Sequence, residues 1–395
     1  MQNIWSENKK VNTLVNILLF LMSMNFFHYG QLLLPIICLI LFIDNKCKFI
    51  VNDIKTFIIL CLFGITFLAF SYKLGPYSFV GLFLPMAYYI GSNIKKANED
   101  SIKYIIYLLT LGMGLHVVLN FGADIVIRGM DSFRRNTHLD IWTLDEYPTT
   151  QTSILYIYII GIIYYSLIYE KNSKYRTLLI MLFIVMMIYE VALGRRTPIL
   201  ILGLVMYAAI FFDYFINKNK NKIMRIIIII SIVCVASAIG LRQILAQLNY
   251  ENLEKVLQKA SLLRKFYYFG FESGRLNIFG KALKLAPYHM FGGKEISAII
   301  EWDIHDLWFD TFDYAGIVPF IILALHSIIS IFVFVKFYKN KNISKEFKFL
   351  VSTLFGCIVF QMCIEPIMTG ASIFLLCSVI VFALLERLNI IVYNK

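Results

Sequence analysis

Long apolar runs recur along this chain, and short lysine-bearing links separate them. "VNTLVNILLFLMSMNFF", "TFIILCLFGITFLAFSY" and "IIIIISIVCVASAIGL" each approach the roughly 20 apolar residues needed to cross a bilayer. Twelve runs lie near 11–27, 30–43, 56–71, 76–92, 103–121, 151–169, 177–193, 197–216, 226–241, 314–335, 349–365 and 370–386. Only 16% of the 395 residues are charged, against about 25% in a soluble domain. The pattern predicts an all-α polytopic membrane protein of about twelve transmembrane helices, with residues 1–395 forming a single integral membrane domain. Several runs are short for a crossing, which leaves room for one re-entrant or merged pair. Seven cysteines show no CxxC spacing, so no disulfide framework and no metal site is expected.

The short links set the orientation. "DNKCKF", "NIKKANEDSIK", "EKNSKYR", "NKNKNKIMR" and "KFYKNKNISKEFK" alternate with lysine-poor connections, and the positive-inside rule places them in the cytoplasm. Both termini are then cytoplasmic. The net charge of +12 follows this loop pattern, which argues against a nucleic-acid partner. The two cationic residue types separate: 19 of 26 lysines fall inside, while 8 of 11 arginines fall outside. Positive-inside bias makes no demand for outward arginine. Guanidinium carries a planar fork of donors that matches phosphate oxygens. Holding an anion is one reading of these arginines, and snorkelling to lipid headgroups is the other.

Two extracytoplasmic loops are long. The first, 122–150, carries Arg128, Arg134, Arg135 and His138. The second, 242–310, lies between spans 9 and 10 and has helical periodicity of its own. Leu253, Val256, Leu257, Ala260 and Leu263 mark one amphipathic helix; Leu276, Phe279, Leu283 and Ala286 mark another, with Ser273 as N-cap and Pro287 as stop. Arg275 falls in the first turn of the second helix, where a cation is disfavoured unless an anion binds there too; pairing with Glu272 is the plainer alternative. Further on, "EWDIHDLWFDTFDYAGIVPF" sets Asp303, Asp306, Asp310 and Asp313 on one helical stripe beside His305. Three readings stay open here: His305 as a general base oriented by a carboxylate, a divalent metal on the aspartates, or pairing of the stripe with the loop's own cations.

"GRRTP" at the head of a span, then "SGRLNIFGKALKLAPYHMFGG", then "IHDLWFDTFDYAGIVPFIILAL", resembles the Wzy/O-antigen ligase superfamily of bacterial polysaccharide membrane proteins. The likeness covers Gly194 to Leu325, with "YPTTQTSILYIY" as a weaker further match. Asp306 stands where the family often has asparagine, and "PYHMFGG" replaces a tighter Pro-x-x-Gly-x-Gly. The resemblance implies glycan transfer from a polyprenyl diphosphate to a sugar hydroxyl, with no cofactor. It implies His305 as the base. Arg195, Arg196 and Arg275, with Arg134 and Arg135 behind them, would hold the diphosphate, and Asp306 and Glu272 would support the site.

The implied activity is polymerisation of undecaprenyl-diphosphate-linked oligosaccharide repeat units into capsular, exopolysaccharide or O-antigen chains. It would act at the outer face of the cytoplasmic membrane. The expected partners are the lipid-linked donor and acceptor, membrane lipid, a flippase and a chain-length regulator. The close alternative is a ligase that passes a finished chain to lipid A core or cell wall. A flippase or transporter, the reading from another class, calls for repeated halves and midplane charges. Neither is visible in this sequence.

Overall fold

The computed structural model describes residues 4–129, 137–193, 195–211, 275–301 and 305–393. The run 226–241, the first amphipathic helix of the second loop, and Asp303 lie outside the described residues. The remaining apolar runs, with 197–216 described only as far as Phe211, lie mainly on helices. In order these are α1 (Lys9–Ser23), α2 (Leu33–Asp44), α3 (Ile54–Phe70), α4 (Val80–Ser92), α5 (Glu99–Ala123), α6 (Thr150–Ile168), α7 (Ser173–Ala192) and α8 (Thr197–Phe211). After them come α9 (Arg275–Leu285), α10 (Glu295–Ile300), α11 (Leu307–Ala315), α12 (Ile317–Lys339), α13 (Lys345–Met362), α14 (Ile367–Gly370) and α15 (Ser372–Tyr393). Among the described residues, five helical segments are long and apolar enough to cross a membrane: Glu99–Arg128, Thr150–Ile168, Ser173–Ala192, Ile317–Lys339 and Ser372–Ile391. The chain is therefore a mainly helical protein with membrane-spanning character.

Exposure along these helices follows a helical period. On α12 the exposed large residues include Val318, Ile321, Leu325, Ile328, Phe332 and Val335, and on α7 Leu178, Met181, Ile184, Ile188 and Val191. Steps of three and four place each set on one face. An apolar stripe of that length would be a liability in water, but it matches lipid tails. By contrast α6 and α15 are buried nearly all round.

The chain falls into two compact units. The first comprises Met1–His116, Leu276–Lys348 and Gln361–Lys395. In it α4 packs between α3 and α15, and small residues let the backbones approach. A Cβ on Gly64 of α3 would stand 2.7 Å from the Gly81 carbonyl oxygen of α4. One on Gly91 of α4 would stand 2.6 Å from the Ile380 carbonyl oxygen of α15. Close approach over small residues is how helices associate where no hydrophobic force drives them together.

The second loop, as far as it is described, is built into this unit. Ala282 of α9, Ile296 of α10 and Phe312 of α11 form a buried cluster with Leu285, Phe309, Ile317 and Phe320 around it. The expected apolar face of α9 is corrected at one position: Phe279 packs edge-on against Phe309 of α11 and Ala286 against the cluster, but the fully buried residue is Ala282, whereas Leu283 is half exposed. The helix ends at Leu285 and passes into a 3-10 turn, Ala286–Tyr288, that contains Pro287.

The second unit comprises Val117–Arg275 and Phe349–Phe360. Here the first long loop has regular structure that the sequence did not signal. Helix α5 continues as a π-helical turn over Asp124–Arg128. A small antiparallel hairpin follows, β1 (Thr137–Leu139) with β2 (Glu146–Pro148), pairing His138 with Tyr147. Its second strand leads directly into α6.

The Gly91 contact is against backbone, which cannot swing aside. Gly91→Val should therefore cost about 1–3 kcal/mol of stability, and thermal unfolding in detergent would show the midpoint falling. An unchanged midpoint would mean that α4 and α15 are not pressed together at this point.

Candidate functional site

Arg195 and Arg196 connect two apolar helices, as their place in the sequence suggests. The Arg195 backbone N–H donates to the Glu190 carbonyl oxygen (2.9 Å), closing the end of α7. The Arg196 carbonyl accepts from the Leu200 N–H (3.1 Å) and so opens α8. Both side chains are half-buried. The Arg195 guanidinium turns to the head of a third helix, where its Nη2 donates to the Thr150 hydroxyl (2.8 Å), the first residue of α6.

That first turn reads Thr-Gln-Thr-Ser, four polar residues on an otherwise apolar helix. Ser153 donates to the Glu190 carboxylate (2.5 Å), and Thr152 to the Thr149 carbonyl (2.8 Å). Gln151 is buried, and its side-chain oxygen has no partner among the described residues. The first N–H groups of a 19-residue helix have no partner within the helix and stand at its positive dipole end, and a guanidinium is beside them. The combination favours an anion. Glu190 is the opposing charge, and its link to Ser153 and its burial hold it in place.

A second polar knot lies at the end of α5. Asp124 is fully buried. It accepts from Tyr189 Oη (2.6 Å) and from the Leu139 N–H of the hairpin (3.0 Å). The Arg128 guanidinium reaches Glu146 (2.7 Å) and lies 3.5 Å from Asp124, and the Ile141 N–H donates to Asn120 (2.9 Å). Arg128 is therefore committed to two carboxylates and fastens the hairpin to the helix.

In the first unit His305 precedes α11 with a positive φ of 59° and intermediate exposure. Asp306 is the N-cap of α11 and accepts from the N–H groups of Trp308 (3.0 Å) and Phe309 (2.9 Å). Burial pushes the Asp306 carboxyl above its usual range, and those two N–H bonds oppose the rise. Asp310 is buried. Asp313 accepts from the N–H groups of Ile296 (3.0 Å) and Ser297 (3.3 Å) and from the Ser297 hydroxyl, joining α10 to α11. Its carboxyl is likewise raised by burial, against the pull of these bonds and of Lys294. Among the described residues no three His, Cys, Asp or Glu gather in metal-holding geometry. Two members of the aspartate stripe, Asp306 and Asp313, thus bond to helix starts.

Of the remaining expected site residues, Arg275 is the first residue of α9, while Arg134, Arg135 and Glu272 lie outside the described residues. The sequence reading overlooked Thr150, Ser153, Asp124 and Tyr189. The run "TTQTS" at the head of an apolar span was the available signal for the first two.

Two outcomes follow. Arg128→Ala leaves Asp124 buried with less compensation, so it should cost about 1–3 kcal/mol and raise amide exchange over 137–148; unchanged exchange there would detach the hairpin from Arg128. For Asp313, a folded-state pKa raised above the unfolded one means stability that is full at low pH and lost as pH rises through the folded pKa. Asp313→Asn should therefore equal or exceed the parent at pH 7 and lose part of its decline above about pH 4, while Asp313→Ala is less stable throughout. Unfolding midpoints across pH 4 to 7 would show this.

Compared with known proteins, the chain matches no protein-family model and no curated protein, so a functional reading starts from these residues and the motifs above.

Proposed function

We propose that the chain is a membrane glycosyltransferase that polymerises polyprenyl-diphosphate-linked oligosaccharide repeat units at the outer face of the cytoplasmic membrane. One observation carries the reading: Arg195 brings a guanidinium to the head of α6 at the point where α7 ends and α8 begins. A lipid-borne diphosphate sits at headgroup depth, which is where the ends of membrane helices meet water. The motif resemblance points to the same chemistry.

In the reaction, an acceptor hydroxyl oxygen attacks the anomeric carbon of the donor sugar. The bond from that carbon to the diphosphate oxygen breaks, and the polyprenyl diphosphate leaves with the electron pair. Charge grows on the leaving oxygens, so fixed donors there lower the barrier. Arg195, Arg196 and the N–H groups at the head of α6 supply such donors. The acceptor proton passes to a base; His305, assigned by the resemblance, belongs to the first unit.

Arg195→Lys keeps the backbone bond to Glu190 and the charge but loses the fork. It should cut polymer yield on the order of a hundredfold with normal membrane insertion. The measurement is surface-glycan chain length in a deletion strain carrying each variant. Single lipid-linked repeats accumulating with Arg195→Lys and with His305→Ala support the proposal. Long chains retained on the carrier lipid would indicate the ligase activity, and repeats trapped on the cytoplasmic side would overturn the enzyme reading.

A further inference from the structure

Among the described residues of the first unit, the turn between α9 and α10 carries the most exposed aromatic side chains. Tyr288 is 81% and Phe291 83% exposed, with Met290 and Leu283 about half exposed beside them. We infer that this turn, with the outward side of α9, is a membrane-docking wedge whose partner is the headgroup and glycerol layer of the bilayer.

Its position carries the argument. The Ile317 N–H, at the first residue of the α12 span, donates to the Met290 carbonyl (2.9 Å). The N–H groups of Gly293 and Lys294 donate to the carbonyls of Tyr314 (3.1 Å) and Asp313 (2.8 Å). Gly292 and Gly316, both at positive φ, let the two backbones cross: a Cβ on Gly292 would stand 2.6 Å from the Gly316 nitrogen, and one on Gly316 2.5 Å from the Met290 oxygen. The turn is thus fixed against the first residue of a helix whose exposed apolar stripe suits lipid tails.

Charge agrees with composition. Lys281 and Lys284 are exposed on α9, where they can meet lipid phosphates. A phenol and a phenyl ring beside lysines match the headgroup boundary, where amphipathic aromatics and long cationic stems partition. A water-facing protein partner or a glycan is the competing occupant. Neither accounts for the fixing of the turn to the first residue of a span. The inference does not depend on the glycosyltransferase reading.

The test uses the full chain in nanodiscs of phosphatidylcholine and phosphatidylglycerol. Phe291→Cys, with the seven native cysteines replaced, carries a nitroxide whose collisions with oxygen and with a water-soluble nickel chelate are compared. Oxygen collisions dominating is the expected result. Nickel dominating, which means water, or both remaining low, which means cover by protein, overturns the inference. If the cysteine-free chain does not fold, Phe291→Trp in the native background replaces it. The added emission, taken as the difference from the parent, should be quenched by brominated lipid. Quenching by aqueous iodide instead, or by neither agent, overturns the inference.

Discussion

In hydrocarbon no water is available to bond a peptide group, so every backbone N–H and C=O within a span must find its partner inside the protein. That requirement accounts for the helices and also for the conduct of the polar side chains among them. Thr110, Ser166 and Ser378 each return their hydroxyl to the carbonyl one turn back, those of Ile106, Ile162 and Phe374. Thr353 does the same to Phe349 and also reaches the Gly161 carbonyl across a helix contact. Where helices end, short polar residues take over: Asn8, Asp53, Asn172 and Asp306 all accept N–H groups at helix starts.

Because the interiors of the spans are closed in this way, charge collects at their ends. Asp124, Glu190 and Arg195 all belong to the last or first turns around α5, α6, α7 and α8. These are the places where a polar ligand can be met without carrying its charge through the apolar layer. The packing has the complementary logic. Glycine contacts draw α3, α4 and α15 together, and the large aliphatic residues turn outward on α7 and α12. This is the reverse of a water-soluble domain and the arrangement a lipid solvent favours.

The helices were legible because an apolar run of sufficient length admits little else. Arg195 and Arg196 were legible for a related reason, since two cations between two apolar runs can only stand at a helix end. The hairpin at 137–148 was not legible: its strands are three residues each, and its stability comes from Asp124, Arg128 and Asn120 at a distance in sequence. On α9 the expected face holds at Phe279 and Ala286, which pack on α11 and the buried cluster, and fails at Leu283, because hydrophobic periodicity ranks it above the small Ala282 that sits against Phe312. Asp306 and Asp313 could be read as metal ligands or cation partners in sequence. The structure shows their oxygens on backbone N–H groups, a use that the same residue type serves as readily as the other two.

Helix α6 is buried on almost every side and carries Tyr156, whose hydroxyl donates to the Phe183 carbonyl of α7 (3.2 Å). During synthesis α6 emerges first, before that carbonyl exists. A lone α6 in the bilayer would hold the Tyr156 hydroxyl against lipid without the Phe183 carbonyl that receives it. The link from α6 to α7 is only residues 169–172, so the two can leave the translocation machinery as a pair. The order of assembly is thus written into the contacts: α6 becomes a comfortable membrane segment only once its successor has been made.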